Sequence, residues 1–297
     1  MTKKIINYGS INIDYVYRTP HFVRPGETLH AESFTKGLGG KGANQSVAIA
    51  RSGGHVVHVG QLSTLDRWAR DVLVNAGVLV DFIDEVDDAS GHAIIQVDSD
   101  GENAILLHGG ANQSVDIKSL EKAMEETDDV EYLLLQNECN NSELAINAAL
   151  TNKIKVAFNP APMSQDVASL NLEQLDTLIV NELEAQALTG SRNINDSISF
   201  FVTRLPATRV VMTLGAKGSI LVNGGNVVEF PSTSVDVIDT TGAGDTFVGY
   251  FLQSLVSGLD DMSALEIASS AAALAVTERG AINAIPNIER VTEFIHG

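Results

Sequence analysis

Two glycine-rich segments put reactive side chains beside free backbone donors. "DTTGAGDTF", Asp239 to Phe247, follows the apolar "VDVI" and opens a helical run in which Phe247, Tyr250, Phe251 and Leu255 share a face; Gly258 ends that helix. Gly242, Ala243 and Gly244 leave unobstructed N–H groups at the helix start, where the macrodipole also favours negative charge. These amides form an anion hole. Asp245 lies in the first turn, where a carboxylate can take the proton of an attacking hydroxyl while the amides stabilise charge on phosphate oxygens. A plainer reading has Asp245 only complementing the helix dipole.

The second segment is "GLGGKGAN", Gly37 to Asn44, which contains G-x-G-x-x-G as Gly37, Gly39 and Gly42. A dinucleotide fingerprint should follow a buried first strand, with an acid about 20 residues further on. Here the preceding "LHAESFTK" alternates polar and charged groups, and the first buried strand, "KIINYG", lies far upstream. An NAD-linked oxidoreductase therefore has only the bare pattern in its favour. A P-loop fails as well, because Lys41 is followed by Gly42 where Ser or Thr should be. The loop delivers backbone amides, Lys41 and Asn44 to a helix that has Ala43, Val47 and Ala50 on one face and ends at Gly53-Gly54. Such a surface suits a small hydroxylated or anionic ligand, or is simply a tight turn with Asn44 as its cap.

These loops need a scaffold. Short apolar runs, "KIINYG", "HVVHVG", "EYLLLQ", "IKVAFN", "DTLIVN" and "RVVMTLG", alternate with segments of helical period. Continuous apolarity suits strands covered on both faces, and the intervening helices supply the crossovers of a parallel sheet. The expected architecture is a mainly parallel α/β sheet with helices on both faces and ligands beyond the carboxyl ends of its strands. Residues 15–36 and 91–108 read instead as amphipathic strands, the second pair turning at Asp100-Gly101. They predict a small separate sheet, a lid with one apolar face that the main domain or a second subunit would cover. The net charge of −19 argues against nucleic acid and anionic membrane as partners. No apolar run approaches the roughly 20 residues that span a bilayer. The single Cys139 reads as a buried thiol, no apolar leader follows "MTKKIINYGS", and a cytoplasmic protein is expected.

"GGKGANQ" together with "DTTGAGDTF" resembles the two signatures of the ribokinase-like sugar kinase family. "GSINIDYV" at 9–16, "HGGAN" at 108–112, "NPAP" at 159–162, "NELEA" at 181–185 and "TLGAKG" at 213–218 extend the resemblance along nearly the whole chain. It implies one kinase domain over 1–297, a three-layer α/β/α sandwich with a discontinuous β lid at about 12–38 and 90–110. The implied reaction moves the γ-phosphoryl group of ATP to the 5-hydroxyl of D-ribose, with Asp245 as base and the amides of Gly242, Ala243, Gly244 and Asp245 as the anion hole. The first loop would then bind sugar. Gly40, Lys41 and Asn44 would contact ribose, Asn12 and Asp14 would hold its hydroxyls, and Glu138 would add a carboxylate.

Asn181 and Glu184 match an N-x-x-E element that organises Mg2+ and phosphate through water; on the residues alone they are equally a helix cap and its capping-box acid. Thr213, Gly215 and Gly218 would touch the nucleotide, or form only a hairpin turn, with Lys217 on phosphate or in solvent. Gly244 borders the phosphates, and Ser269 takes the adenine side. A K+ ion is implied on Asp239, Thr241 and the backbone around Val276, Arg279 and Gly280, although Asn283 or Ala284 stands where a serine is common. "STLDRWARD" at 63–71 departs from the family's G-x-D-x-x-G stretch, with Trp68 and Ala69 near the second glycine. The resemblance also implies a homodimer through the lid. Deoxyribose, another pentose or ketose, or a nucleoside are alternative acceptors. An inactive sugar-sensing module is the alternative of another class, against which the intact Gly242, Gly244 and Asp245 argue.

Overall fold

In the computed structural model, which describes residues 3–297, the apolar runs form strands and the periodic segments form helices. Along the chain these are β1 (Lys4–Tyr8), β2 (Asn12–Arg18), β3 (Ser33–Gly39), α1 (Lys41–Arg51), β4 (His55–Ser63), α2 (Trp68–Asn75), β5 (Leu79–Val86), β6 (Gly91–Val97), β7 (Asn103–His108), α3 (Ile117–Glu126) and β8 (Val130–Gln136). The second half follows with α4 (Ser142–Thr151), β9 (Lys155–Asn159), β10 (Thr177–Asn181), α5 (Glu182–Thr189), α6 (Ile194–Arg204), β11 (Arg209–Thr213), β12 (Ser219–Asn223), β13 (Asn226–Phe230), α7 (Ala243–Val256), α8 (Asp261–Ala275) and α9 (Ile288–His296).

The large sheet has the order β13-β12-β11-β10-β9-β8-β1-β4-β5. Neighbours from β11 across to β5 are parallel, and β12 and β13 add an antiparallel edge. Consecutive residues such as Ile5 and Ile6, or Leu133 and Leu134, are all buried because each serves an opposite, helix-covered face. Ile5, Val56 and Leu134 pack with α1, α2, α7, α8 and α9, whereas Ile6, Val57 and Leu133 pack with α3 to α6. The result is a three-layer α/β/α sandwich. Strand order reverses at β1, with β4 to one side and β8 to the other, so a crevice opens beyond the carboxyl ends of β1 and β8.

A second sheet has the order β3-β2-β6-β7, parallel at β2–β6 and antiparallel elsewhere. Its strands leave the body between β1 and α1 and again between β5 and α3. Phe34, Ile105, Leu106 and Leu107 are exposed on it. One apolar face was predicted, but the adjacent Leu106 and Leu107 point to opposite sides, so both faces carry uncovered apolar side chains. The divergent 63–71 stretch reaches this sheet. Asp66 accepts from Lys36 Nζ of β3 at 2.8 Å and from Trp68 Nε1 at 3.3 Å. The Lys36 ammonium also lies 5.0 Å from the Trp68 ring centre and 5.6 Å from that of Tyr15, fastening β3 and β2 to the body. Among the described residues no helix is long and apolar enough to cross a membrane.

Helices α1 and α7 cross closely at Gly249, where a Cβ would collide with Ala48 and fall 2.9 Å from the Gln45 carbonyl oxygen. Gly249→Val should force the helices apart and cost about 1–3 kcal/mol or more. The urea midpoint measures this; an unchanged midpoint would mean that the two helices separate freely.

Candidate active site

Strand β3 continues through Gly39, so Gly37 and Gly39 are strand residues and the predicted loop shrinks to Gly40, at φ 93°. The remaining glycines permit close approach. A Cβ on Gly42 would collide with the backbone of Gly9 and Ser10, and one on Gly39 with the Asp14 carboxylate. Close packing, on a carboxylate at Gly39 and on backbone at Gly42, therefore accounts for two glycines of the G-x-G-x-x-G pattern, whereas a Cβ at Gly37 would meet nothing within 4 Å. The start of α1 is capped from a distance: Glu138, just past β8, accepts from Lys41 N at 3.0 Å and from Ser10 Oγ at 2.5 Å.

Asn44 is not the cap of that helix. Its Nδ2 donates to Asp245 Oδ2 at 2.8 Å, and its buried Oδ1 has no partner among the described residues. Gln45 Nε2 donates to Asp245 Oδ1 at 2.9 Å. Asn12 and Asp14 stand on the same side of β2. Asn112 Oδ1 accepts from Ile11 N, which turns its Nδ2 toward Asn12 Oδ1 at 2.7 Å. Asn12 thereby keeps its own amide donors for another partner.

Gly242 precedes α7 at φ 76°, the left-handed conformation that suits glycine. Ala243 N bonds Thr240 O at 3.3 Å, but the N–H groups of Gly242, Gly244 and Asp245 have no acceptor among the described residues. A Cβ at Gly244 would meet nothing within 4 Å, so this helix start is open. Asp245 is buried beside it and held by two amides, a more specific setting than dipole complementation requires.

The charges converge. Asp245 first, then Glu138 and Glu184, raise the proton affinity of Lys41, so one ammonium serves three carboxylates. Burial raises the proton affinity of Glu138, Glu184 and Asp245, and burial together with the nearby Glu138 lifts Asp14 to about 6. Negative groups outnumber positive ones here. A complementary ligand supplies hydroxyl donors or a cation.

Beyond the start of α7 lies a cleft of about 430 Å³ bordered by Thr213, Gly215, Gly218, Gly244 and Ser269, with Val235, Val237, Ala272 and Val276 as apolar walls. The 214–218 turn both joins β11 to β12 and forms the rim of this cleft. Lys217 is outside the lining and faces Glu182 at 3.7 Å. Asn181 and Glu184 close a capping box on α5, with both bonds at 2.8 Å. That box uses only Oε2 of Glu184.

Asp239 Oδ1 accepts from Thr241 N and Oγ1, its Oδ2 accepts from Gly280 N, and the Val276 carbonyl accepts from Ile238 N and Asp239 N. The carbonyl oxygens of Thr241, Arg279 and Gly280 accept no hydrogen bond among the described residues. Neutral oxygens with one carboxylate fit a monovalent cation. Ser10, Gln45 and Asn112 sit inside recognisable motifs, yet only their hydrogen bonds expose what they do. The apolar "VDVI" before the second glycine segment reads as a strand but forms none: with 232–234 it is an irregular wall of the cleft, a role that a short segment without a period does not reveal.

The model of the pfkB family carbohydrate kinases matches residues 2–288. The chain is 34% identical over 305 residues to a Haemophilus influenzae protein named ribokinase, covering 99% of each. It is 30% identical over 297 residues to a Salmonella typhi protein named deoxyribokinase, covering 97% of each. A solved structure of Arabidopsis thaliana ribokinase complexed with ribose and ATP matches the whole length of both chains, with a TM-score of 0.90 at 28% identity.

Proposed function

The chain belongs to the pfkB family of carbohydrate kinases and is an ATP-dependent sugar kinase, and from that premise we propose that it phosphorylates D-ribose on the 5-hydroxyl. The main support is the meeting of α1 and α7, where Asn44 and Gln45 hold both oxygens of Asp245 beside three unpaired N–H groups. Ribose seated on Asn12, Asp14, Gly40, Lys41, Asn44 and Glu138 brings its hydroxyl to that carboxylate. Asp245 takes the proton as the oxygen attacks, and the amides of Gly242, Gly244 and Asp245 stabilise the charge gathering on the phosphoryl oxygens.

The nucleotide occupies the cleft between Thr213 and Ser269. Glu184, whose Oε1 the capping box leaves unused, would hold Mg2+ through water, and the ion when bound would neutralise phosphate charge in a site already rich in carboxylates. K+ on Asp239 and the Thr241, Arg279 and Gly280 carbonyls fixes the loop that leads into α7. The second sheet acts as a lid that keeps water from the transferring group. Its uncovered Phe34 and Leu106, which the strand register puts on one face, suit the same sheet of a second copy, giving a homodimer in the cytoplasm.

ADP release from MgATP in potassium buffer, with D-ribose, deoxyribose, fructose and adenosine compared, tests the assignment. D-Ribose should give the highest kcat/KM. A preference for deoxyribose, the reading favoured by the Salmonella typhi relative, would move the error to the sugar pocket and leave Asp245 in place. Ribose binding without ADP release from any acceptor would leave only a sensor.

A further inference from the structure

Behind Asp245 runs a continuous chain of buried polar side chains that neither the transfer step nor the sugar contacts use. It begins at His58, which is fully buried, with Nε2 3.1 Å from the Gly9 carbonyl oxygen and Nδ1 2.8 Å from Ser46 Oγ. A carbonyl oxygen can only accept, so Nε2 carries the proton. Burial lowers the imidazole pKa to about 4, which leaves the ring neutral and Nδ1 an acceptor, so the Ser46 hydroxyl donates to it. Ser46 Oγ in turn accepts from Asn7 Nδ2 at 2.8 Å, and the same Asn7 nitrogen donates to the Gly42 carbonyl.

The direction propagates from there. Asn7 Oδ1 must face Gln136 and accepts from its Nε2 at 2.9 Å; that nitrogen also donates to Gln45 Oε1 at 2.7 Å. Gln45 is thus left with its Nε2 toward Asp245 Oδ1, at 2.9 Å, and toward Asn159 Oδ1, at 3.1 Å. Asn159 cannot turn over, because its Nδ2 is committed to the Ile179 carbonyl at 2.9 Å. Three backbone carbonyls, those of Gly9, Gly42 and Ile179, therefore dictate the orientation of every amide in the chain. Turning any one of them would set oxygen against oxygen.

We propose that Gln45 is a positioning residue for Asp245, and that the chain from His58 through Ser46, Asn7 and Gln136 compels it to present an N–H donor to the carboxylate. This rests on Asp245 being the base. The donor holds Asp245 in its ionised form against the effect of burial, and it aims the carboxylate without touching either substrate. Lys41 and Asn44 of α1 act in the same direction, whereas Glu138 and Glu184 lie close enough to repel the carboxylate and oppose it.

The test is the pH dependence of kcat and the ribose KM for Gln45→Met and Gln45→Glu in the full chain, with Asp245→Asn measured alongside. Gln45→Met keeps the volume and removes the donor. Its acid limb should move to higher pH by about one to two units, the worth of one hydrogen bond to a charged group, while the ribose KM stays within about threefold. Gln45→Glu sets a second carboxylate against the first, so its acid limb should move further still. Acid limbs that coincide with that of the unmodified protein, with Asp245→Asn inactive, would overturn the role of Gln45 and leave the base assignment standing. Full activity of Asp245→Asn would overturn both. Should Gln45→Met fail to fold, Gln45→Asn withdraws the donor by one methylene and should shift the limb in the same direction; no shift there would also overturn the proposal.

Discussion

Asp245→Asn should lower kcat by about 100-fold to 10,000-fold while leaving ribose affinity nearly unchanged, the range expected when a positioned base is lost. The substitution is close to isosteric, so the packing of α7 and the unpaired N–H groups at its start survive. What changes is the proton acceptor. An Asn there must also turn its amide nitrogen toward Asn44 or Gln45; Gln45 is held as a donor by Gln136, so the amide faces Asn44, whose unpartnered Oδ1 can turn to accept it. Single-turnover phosphoryl transfer at saturating ribose and MgATP isolates the step. A rate within a few-fold of the unmodified protein would remove Asp245 from the mechanism.

Asp14→Ala should act on the other side of the reaction. If the carboxylate accepts from two sugar hydroxyls, removing it forfeits two charge-assisted hydrogen bonds, together about 3 kcal/mol or more, and the ribose KM should rise about 100-fold or more with kcat changed only a few-fold. A pure kcat defect would contradict the assignment. The same residue predicts a pH dependence. Its folded pKa is raised to about 6, so the carboxylate gains its proton as pH falls through that value and the ribose KM climbs below it, at most about tenfold per unit. In Asp14→Asn that climb should disappear.

Stability moves the opposite way. Because the folded state binds the Asp14 proton more tightly than the unfolded chain does, the stabilising contribution of the protonated form is complete below about pH 4 and is lost as pH rises through about 6. Unliganded Asp14→Asn should therefore unfold at a higher denaturant concentration at pH 7 than the unmodified protein, although it binds sugar poorly. Residues that keep charge buried for function commonly carry this cost.

Six of the nine strands of the large sheet, β1, β4 and β8 to β11, were legible because runs such as "HVVHVG" and "EYLLLQ" are buried on both faces, whereas β5, β12 and β13 lie toward its edges and were not among those runs; the two glycine segments marked the helix starts that face the crevice. Individual glycines were harder to interpret. Gly39 and Gly42 avoid collisions with Asp14 and with Gly9, partners that a local motif cannot reveal. Nor could residue types distinguish a capping box from a water-mediated metal site at Asn181 and Glu184, since the same acid at the same spacing suits either; the structure shows the capping box. Least legible were the contacts between distant segments: Glu138 capping α1, Asn112 orienting Asn12, and Gln45 meeting Asp245 across 200 positions of sequence. Such pairings depend on the strand order, which periodicity does not encode.

Asn12 and Asp14 are part of β2, one of the two inner strands of the small sheet, whereas Lys41, Asn44 and Asp245 belong to helices packed on the large one. A hinge motion of the small sheet would carry two of the proposed sugar ligands with it and leave the others behind. Opening would then do more than unroof the pocket: it would pull the binding site into two halves, so that letting go of the sugar and swinging the sheet outward are one event with one rate.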